Sequence, residues 1–153
     1  MGAVNLDAAI ESYVQLNKSI VESVKQAIEI AALDAVAMIG ERILEKGQDS
    51  NNEPLSPYSK PYKKRKEKAG KYVGYTNLKW SGQMIASIGI IELSNTETSA
   101  KAVVMGRDEF NQKLLEYNSK SRGDILTVSK EEQKVLSEDF EKRVEANIVK
   151  LIG

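Results

Sequence analysis

The chain contains neither cysteine nor histidine. Without cysteine there can be no disulfide, no thiol nucleophile and no thiolate ligand for zinc or an iron–sulfur cluster. Without histidine the chain lacks the most common general base and the most common protein ligand of transition metals. Any catalysis would have to use carboxylates, lysine, tyrosine or serine. We therefore predict that the protein is not an enzyme and has no catalytic residue, no metal site and no cofactor.

Long apolar runs are also missing. The most apolar stretch, residues 28–39, is interrupted by Glu29 and Asp34, whereas a membrane-spanning helix needs about 20 consecutive apolar residues. Asp7 and Glu11 stand where a signal peptide would have its basic region and apolar run. We therefore expect no membrane span and no signal peptide, and a protein that is made in a cytoplasm and stays soluble.

What is present is the composition of an ordinary globular protein: 41% of the 153 residues are hydrophobic and 29% are charged. A chain of this length suits one domain with its own core. We predict a single α+β domain over residues 1–153, in which a long N-terminal helix and a C-terminal amphipathic helix pack on a small antiparallel sheet. Its parts are a helical N-terminal part (1–46), an extended basic loop and helix (47–77), and a part with the hairpin, a short helix and the C-terminal helix (78–153).

The N-terminal part has the apolar spacing of a helix. Apolar residues recur at steps of three and four along residues 6–46. A continuous helix of that length would exceed the usual globular range. Ser19 and Glu22 have the spacing of a capping box. We therefore expect a short helix, a break at residues 17–19 and a long helix that ends before Gly47.

The remaining elements follow from strand and capping signals. Residues 84–93 and 97–105 have strand character and flank turn residues 94–96, which predicts a β-hairpin. Asp108 begins a short predicted helix, with a loop at 118–124 after it. The last elements are an extended piece at 125–128 and an amphipathic helix that opens with the capping box Ser129–Glu132 and bears Leu136, Phe140, Val144, Ile148 and Ile152 at steps of four.

The positive charge of the chain is concentrated in one segment. Residues 60–71 carry seven cations and one anion, and the rest of the chain carries 15 cations and 21 anions. Ser59 as N-cap, Pro61 in the first turn and Gly70 at the end predict a helix of about three turns. A concentrated charge usually faces a partner. The candidate DNA-facing or partner-facing residues are Lys60, Lys63, Lys64, Arg65, Lys66, Lys68 and Lys71.

Two features near this segment allow more than one interpretation. Tyrosines such as Tyr58 and Tyr62 lie among the cations, where they can stack on bases or pack under lysine stems. The adjacent acids Asp108 and Glu109 suit a metal site or an acid–base pair, or else a helix N-terminus, which favours acids. The polar residues, prolines and like charges of residues 48–75 also predict that this region is mobile in a free subunit.

Several short motifs in a fixed order resemble the virion-morphogenesis proteins of tailed phages, the tail-completion and head–tail joining group. The resemblance covers residues 20–152. Its motifs are the turn Pro54-Leu55-Ser56-Pro57-Tyr58-Ser59 with the Lys-rich helix after it, the block Leu78-x-Trp80-Ser81-Gly82-x-Met84-x-x-Ser87-Ile88, Tyr117-Asn118 with Arg122, and the block Leu126-Thr127-Val128-Ser129-x-Glu131-Glu132. The chain departs from the family pattern in having Asn52-Glu53 where a tryptophan precedes the Pro-Leu-Ser turn and no histidine near Tyr117.

The resemblance implies a structural virion protein without an active site, with a curved sheet flanked by helices. Such proteins assemble as rings, often sixfold, at the neck or the head-proximal end of the tail. The implied partners are further copies of the chain, connector or adaptor proteins, tail-tube or tail-terminator proteins, and genomic DNA in the channel, with no membrane. The implied location is the virion, after assembly in the host cytoplasm. The alternative is a small, non-specific DNA-binding accessory protein that uses Lys60–Lys71, and an enzyme that uses carboxylates is a third hypothesis.

Overall fold

The computed structural model describes residues 6–153, and their fold is α+β, which confirms the predicted class. A two-stranded antiparallel sheet packs on the first helix, and the last helix packs along the same first helix. The elements are α1 (Leu6–Glu41) with a π-helical turn (Arg42–Lys46) after it, α2 (Lys60–Lys68), α3 (Gln83–Ala86), β1 (Ile88–Asn95), β2 (Ala100–Gly106), α4 (Glu109–Arg122) and α5 (Lys130–Ile152).

Helix α1 runs without interruption, so the predicted break at residues 17–19 is wrong. Asparagine and serine in a helix interior cost less than about 0.7 kcal/mol each, far less than proline. α1 contains no proline, and its one glycine, Gly40, lies in the last turn. At about 1.5 Å per residue, its 36 residues make a helix about 54 Å long.

The helix ends at Gly47, as the sequence predicts. Gly47 has φ of 61°, in the left-handed region. A Cβ atom there would lie 2.5 Å from Cδ2 of Tyr75 and 2.7 Å from the carbonyl oxygen of Thr76. The Tyr75 hydroxyl donates to the carbonyl oxygens of Leu44 at 3.0 Å and Glu45 at 2.7 Å. The last carbonyls of the helix are thus satisfied by a residue from the chain segment that follows α2.

The large buried apolar side chains gather near the C-terminal end of α1. No described residue of α1 before Ser23 is buried, and α5 has no fully buried residue. Each member of the main cluster is at most 7% exposed, and the members are Ile39, Ile43, Leu55, Ile85, Ile88, Leu115 and Ile125. The core is therefore concentrated at one end of a long molecule.

A buried arginine joins the end of α1 to the start of α5. Arg42 is 2% exposed and forms an ion pair with Glu132. Its Nη2 donates to the carbonyl oxygens of Ile125 at 3.0 Å and Thr127 at 2.9 Å. Glu132 also completes the predicted capping box of α5 with Ser129, which is confirmed. Ile125 and Thr127 direct their carbonyl oxygens to Arg42, and the predicted extended piece at 125–128 pairs with no strand.

The predicted hairpin is confirmed, with different ends. Strand β1 pairs antiparallel with β2 from Ile88 opposite Gly106 to Asn95 opposite Ala100, with an irregularity between Ile90 and Glu92. The start of the predicted first strand forms helix α3 instead. The Ser87 hydroxyl donates to the Met84 carbonyl oxygen at 2.7 Å, a local bond that stabilises this helical turn.

Helix α4 is longer than the sequence predicts. Asp108 caps it, as expected, by accepting a hydrogen bond from the Asn111 backbone N–H at 2.9 Å. The helix continues to Arg122, so the predicted loop at 118–124 is wrong for its first five residues. Asn118 lies within the helix, and its side-chain amide donates to the Leu114 carbonyl oxygen one turn earlier, at 2.8 Å.

Among the helices of residues 6–153, none combines the length and the apolar character that crossing a bilayer requires.

Candidate partner-binding cleft beside the cationic helix

The cationic segment forms a helix, as predicted. α2 covers nine residues, with Ser59 at the N-cap and Pro61 in its first turn. The Ser59 side chain makes no capping hydrogen bond, although its carbonyl oxygen accepts from the Lys63 backbone N–H at 2.9 Å. The conformation of this helix is held mainly by contacts with the rest of the chain, because its like charges disfavour it in isolation.

The central lysine of α2 points into the protein. Lys66 is fully buried, and its Nζ donates to the Tyr58 hydroxyl at 3.1 Å, to Oδ1 of Asn77 at 3.3 Å and to the Lys79 carbonyl oxygen at 3.0 Å. Burial lowers the pKa of Lys66, because desolvation disfavours the charged ammonium. The prediction that Lys66 faces DNA or a partner is corrected: its contacts hold α2 to Tyr58 before the helix and to Asn77 and Lys79 after it.

The other predicted cations of this segment remain accessible. All six are exposed, and none forms an ion pair within residues 6–153. They are Lys60, Lys63, Lys64, Arg65, Lys68 and Lys71. The structure therefore keeps a cationic surface on α2 whose charges have no acidic partner in the described part of the chain.

Aromatic rings form a row along one side of α2. The ring centroids of Tyr58 and Tyr62 are 5.0 Å apart, and those of Tyr62 and Trp80 are 5.9 Å apart. A guanidinium lies at each end of the row, with Arg122 at 5.2 Å from the Tyr58 centroid and Arg65 at 4.9 Å from the Trp80 centroid. Such cation–π contacts stabilise both partners and fix their orientation.

Hydrogen bonds join the loop before α2 to the body of the protein. The Arg122 Nη1 donates to the carbonyl oxygens of Ser56 at 3.1 Å and Pro57 at 3.0 Å. The Tyr58 hydroxyl accepts from the Leu78 backbone N–H at 2.8 Å, and burial raises the pKa of Tyr58. These contacts argue against the predicted mobility of residues 48–75. Hydrogen exchange of the free subunit tests that prediction.

A cleft of about 460 Å³ opens beside this row. It lies between the start of α2, residues 78–84 and α4. α4 contributes Phe110 and Tyr117, which are 72% and 65% exposed. We call this the aromatic cleft; its aromatic lining residues are Tyr58, Tyr62, Trp80, Phe110 and Tyr117. A cleft of this size, with aromatic walls and cations at its edge, suits a ligand that has an apolar surface and carries negatively charged groups.

The sequence did not indicate that Phe110 and Tyr117 belong to this site. They lie seven positions apart on α4 and so share one helix face. The available signal was the presence of two aromatic residues on one face of a short helix, since large apolar groups that stay exposed often mark binding surfaces. Only the packing of α4 against α3 brings them next to Trp80.

The acidic pair after the hairpin has a structural role. Both carboxylate oxygens of Asp108 accept from Asn111, at 2.9 Å from the backbone N–H and at 2.7 Å from the side-chain amide. These hydrogen bonds lower the pKa of Asp108. Glu109 pairs with Lys113 at 2.6 Å one turn later. Within residues 6–153 no group of three or more acidic, histidine or cysteine side chains is arranged to hold a metal ion.

Comparison with protein-family models, with curated proteins and with solved structures finds no match to this chain.

Proposed function

We propose that the protein is a structural subunit of a tailed-phage virion, a neck or tail-completion protein that assembles with copies of itself into a ring at the head–tail junction. The observation that carries the proposal is the amount of apolar surface that one copy leaves uncovered on its two longest helices. The ordered motifs between residues 54 and 132 support the position in the virion.

Most of the uncovered apolar side chains of these two helices lie at the N-terminal end of α1 and the C-terminal end of α5. In α1, Ile10 and Tyr13 are 52% and 74% exposed. In α5, Val149 and Ile152 are 64% and 66% exposed. A soluble monomer rarely exposes clusters of this kind, and such surfaces usually mark protein interfaces. A subunit whose long helices extend beyond its core suits an assembly in which neighbouring subunits cover these ends.

The hairpin offers a second kind of contact. β1 and β2 pair only with each other, so within residues 6–153 each strand has one edge without a ladder partner. Such an edge can pair with a strand from another chain. A two-stranded sheet is marginally stable alone, and this one depends on α1 for packing. Edge pairing between subunits would extend the sheet around a ring.

The test is the oligomeric state of the purified chain. Mass photometry and negative-stain imaging at near-physiological salt should show one closed oligomer with a fixed number of subunits. Pull-down with connector and tail-tube proteins of a tailed phage should then show binding of the assembled ring. A chain that stays monomeric at every concentration and binds neither partner would contradict the proposal.

A second candidate, a DNA-binding accessory protein, is favoured by the six exposed cations of α2 and its flank beside a row of aromatic rings. If all six contacted phosphates of duplex DNA, the slope of log affinity against log salt would be about −5. Binding with that slope would support this function. Absence of binding at low salt would eliminate it, and the balanced charge of the whole chain, 22 cations and 22 anions, counts against it.

A further inference from the structure

The first three turns of α1 extend past the end of α5. Leu151 of α5 lines the same small depression as Ser19 and Ser23 of α1. Residues 6–17 therefore lie beyond the last turn of α5 and project about 18 Å from it. We call residues 6–17 the arm. Its exposed apolar side chains are Leu6, Ile10, Tyr13 and Val14, with exposures between 47% and 74%.

The apolar side chains of the arm share one face, and its charge is entirely negative. Positions 6, 10, 13 and 14 follow the spacing of a single helix stripe. Asp7 and Glu11 are the only charged residues of the arm, and the next cation is Lys18. The arm is thus an acidic amphipathic helix with its apolar stripe in solvent.

The aromatic cleft has the complementary chemistry. Its walls are aromatic, and Arg65 and Arg122 contact its rings from two sides. Lys63 follows Tyr62 and lies one helical turn after Ser59, and those two residues line the cleft. The exposed cations of this surface have no acidic partner in the described part of the chain. An acidic helix with an apolar stripe could place the stripe on the aromatic walls and its carboxylates beside the cations.

The arm of one copy cannot reach the cleft of the same copy. Trp80 of the cleft and Leu44 line one depression, which places the cleft by the C-terminal end of α1. Between Asn17 and Leu44 the helix spans about 40 Å. α1 and the π-helical turn after it are continuous over that distance, without a proline or an interior break. Contact between arm and cleft therefore requires two copies.

We propose that the arm of one copy docks in the aromatic cleft of the next copy, with its apolar stripe on the rings and its acids toward Lys63 and Arg65. The inference rests on the proposed ring and deepens it by naming both sides of one subunit contact. Since the two surfaces differ, the contact is head-to-tail, and its repetition closes a ring when the rotation between subunits allows.

The other large concave surface suits the arm less well. A groove of about 640 Å³ lies between α1, β2 and α5, with a mostly apolar lining. Its one charged lining residue is Glu141, which would repel Asp7 and Glu11. Charge therefore favours the aromatic cleft as the acceptor.

Single substitutions on each surface test the contact. Ile10→Lys in the arm and Phe110→Glu in the cleft should each raise the concentration for half-assembly at least about tenfold, as loss of a central anchor does. Leu33→Lys is the control for the arm, because Leu33 is an apolar residue of α1 with 55% exposure outside the arm. Val135→Glu is the control for the cleft, at an exposed position of α5. Both controls should assemble as the wild type does, and circular dichroism should show that all four variants fold.

Mixing the two defective variants tests the direction of the contact. The arm variant keeps an intact cleft, and the cleft variant keeps an intact arm, so the mixture should form heterodimers and nothing larger in sedimentation velocity. A mixture that stays monomeric at high concentration would overturn the proposal. So would a Phe110→Glu variant that assembles normally, or an arm variant that alone is defective, since the latter would indicate arm-to-arm contact.

The two proposals can fail separately. A wild-type ring that Phe110→Glu leaves intact would overturn the docking contact and leave the ring proposal standing. A ring held by this contact that binds no phage component would overturn the virion function and leave the docking contact standing. A wild-type chain that is always monomeric would overturn both.

Discussion

The two ends of α1 have the same apolar periodicity and opposite surroundings. At the C-terminal end, Ile39 and, in the π-helical turn that follows, Ile43 are 1% and 0% exposed, within the main core. At the N-terminal end Ile10 and Tyr13 are 52% and 74% exposed. Periodicity shows which side chains of a helix would gain from burial. It does not show whether the same chain supplies the covering surface, and here residues 6–153 supply it at one end of the helix only.

The first prediction compares one isoleucine from each end. Ile43→Ala should lower the free energy of unfolding by about 2–5 kcal/mol, since it leaves a cavity among buried side chains. Ile10→Ala should change it by less than about 0.5 kcal/mol, because an exposed side chain loses little on truncation. Urea unfolding followed by circular dichroism, below the concentration of assembly, measures both.

Equal destabilisation by these two variants would contradict the comparison, because it would mean that the arm packs within one copy. Above the concentration of assembly, the difference in destabilisation between the two variants should become smaller. Ile10→Ala should then lose stability relative to the wild type, since assembly stabilises the folded subunit by mass action. Leu33→Ala, at a similarly exposed position of α1 outside the arm, should lose nothing in either condition.

The sequence predicted the elements whose signals are local. The capping box of Ser129 and Glu132, the cap at Asp108 and the helix end at Gly47 each depend on neighbouring residues, and all three are present. The sheet was predicted because alternation and turn residues are also local. Fold class could therefore be derived from short-range patterns alone.

The errors at residues 17–19 and 118–122 have a different cause. Serine and asparagine can cap a helix or continue it, and the choice depends on what the rest of the chain provides. In α4, Arg122 remains helical while its side chain contacts Tyr58 and two carbonyls of a distant loop. No pattern within α4 contains that information.

Part of the candidate site was equally hidden. The partners of Lys66 lie 8, 11 and 13 residues away, and they meet it only when the loop before α2 and the segment after it both fold against the helix. A nine-residue helix with one buried position has no periodicity that could reveal it. The six exposed cations were predictable from composition, whereas the cleft with Phe110 and Tyr117 required the packing of three separate segments.

The second prediction compares two left-handed glycines in the same end of the molecule. Gly47 and Gly70 have φ of 61° and 66°, so alanine at either position should cost about 1–2 kcal/mol of strain. A Cβ at Gly47 would also clash with Tyr75 and Thr76, whereas one at Gly70 would meet nothing within 4 Å. Gly47→Ala should therefore be the more destabilising variant by about 1 kcal/mol or more.

Thermal and urea unfolding of both glycine variants provide the measurement. Equal losses of stability would show that the Tyr75 ring moves away at little cost, and that the end of α1 is packed less tightly than its contacts indicate.

The smallest expected effect is a dependence of stability on pH from Lys66. Burial lowers its folded-state pKa below the ordinary value of 10.5. Between the two values the unfolded chain binds more protons than the folded one, so stability rises with pH through that window. Lys66→Met should remove this contribution, so that the wild type gains stability relative to the variant as pH rises toward 10.5.

Above about pH 10 Tyr58 adds a change of the opposite sign, because burial raises its pKa above 10.0 and stability then falls as pH rises. Lys64→Met, at an exposed position of the same helix, is the matched control and should run parallel to the wild type. Urea unfolding at several pH values gives the slopes. If Lys66→Met also ran parallel to the wild type, Lys66 would titrate as an exposed lysine does. In that case Lys66 would not anchor α2 to the body of the protein. α2 would then be exposed, as the arm at the opposite end of α1 is.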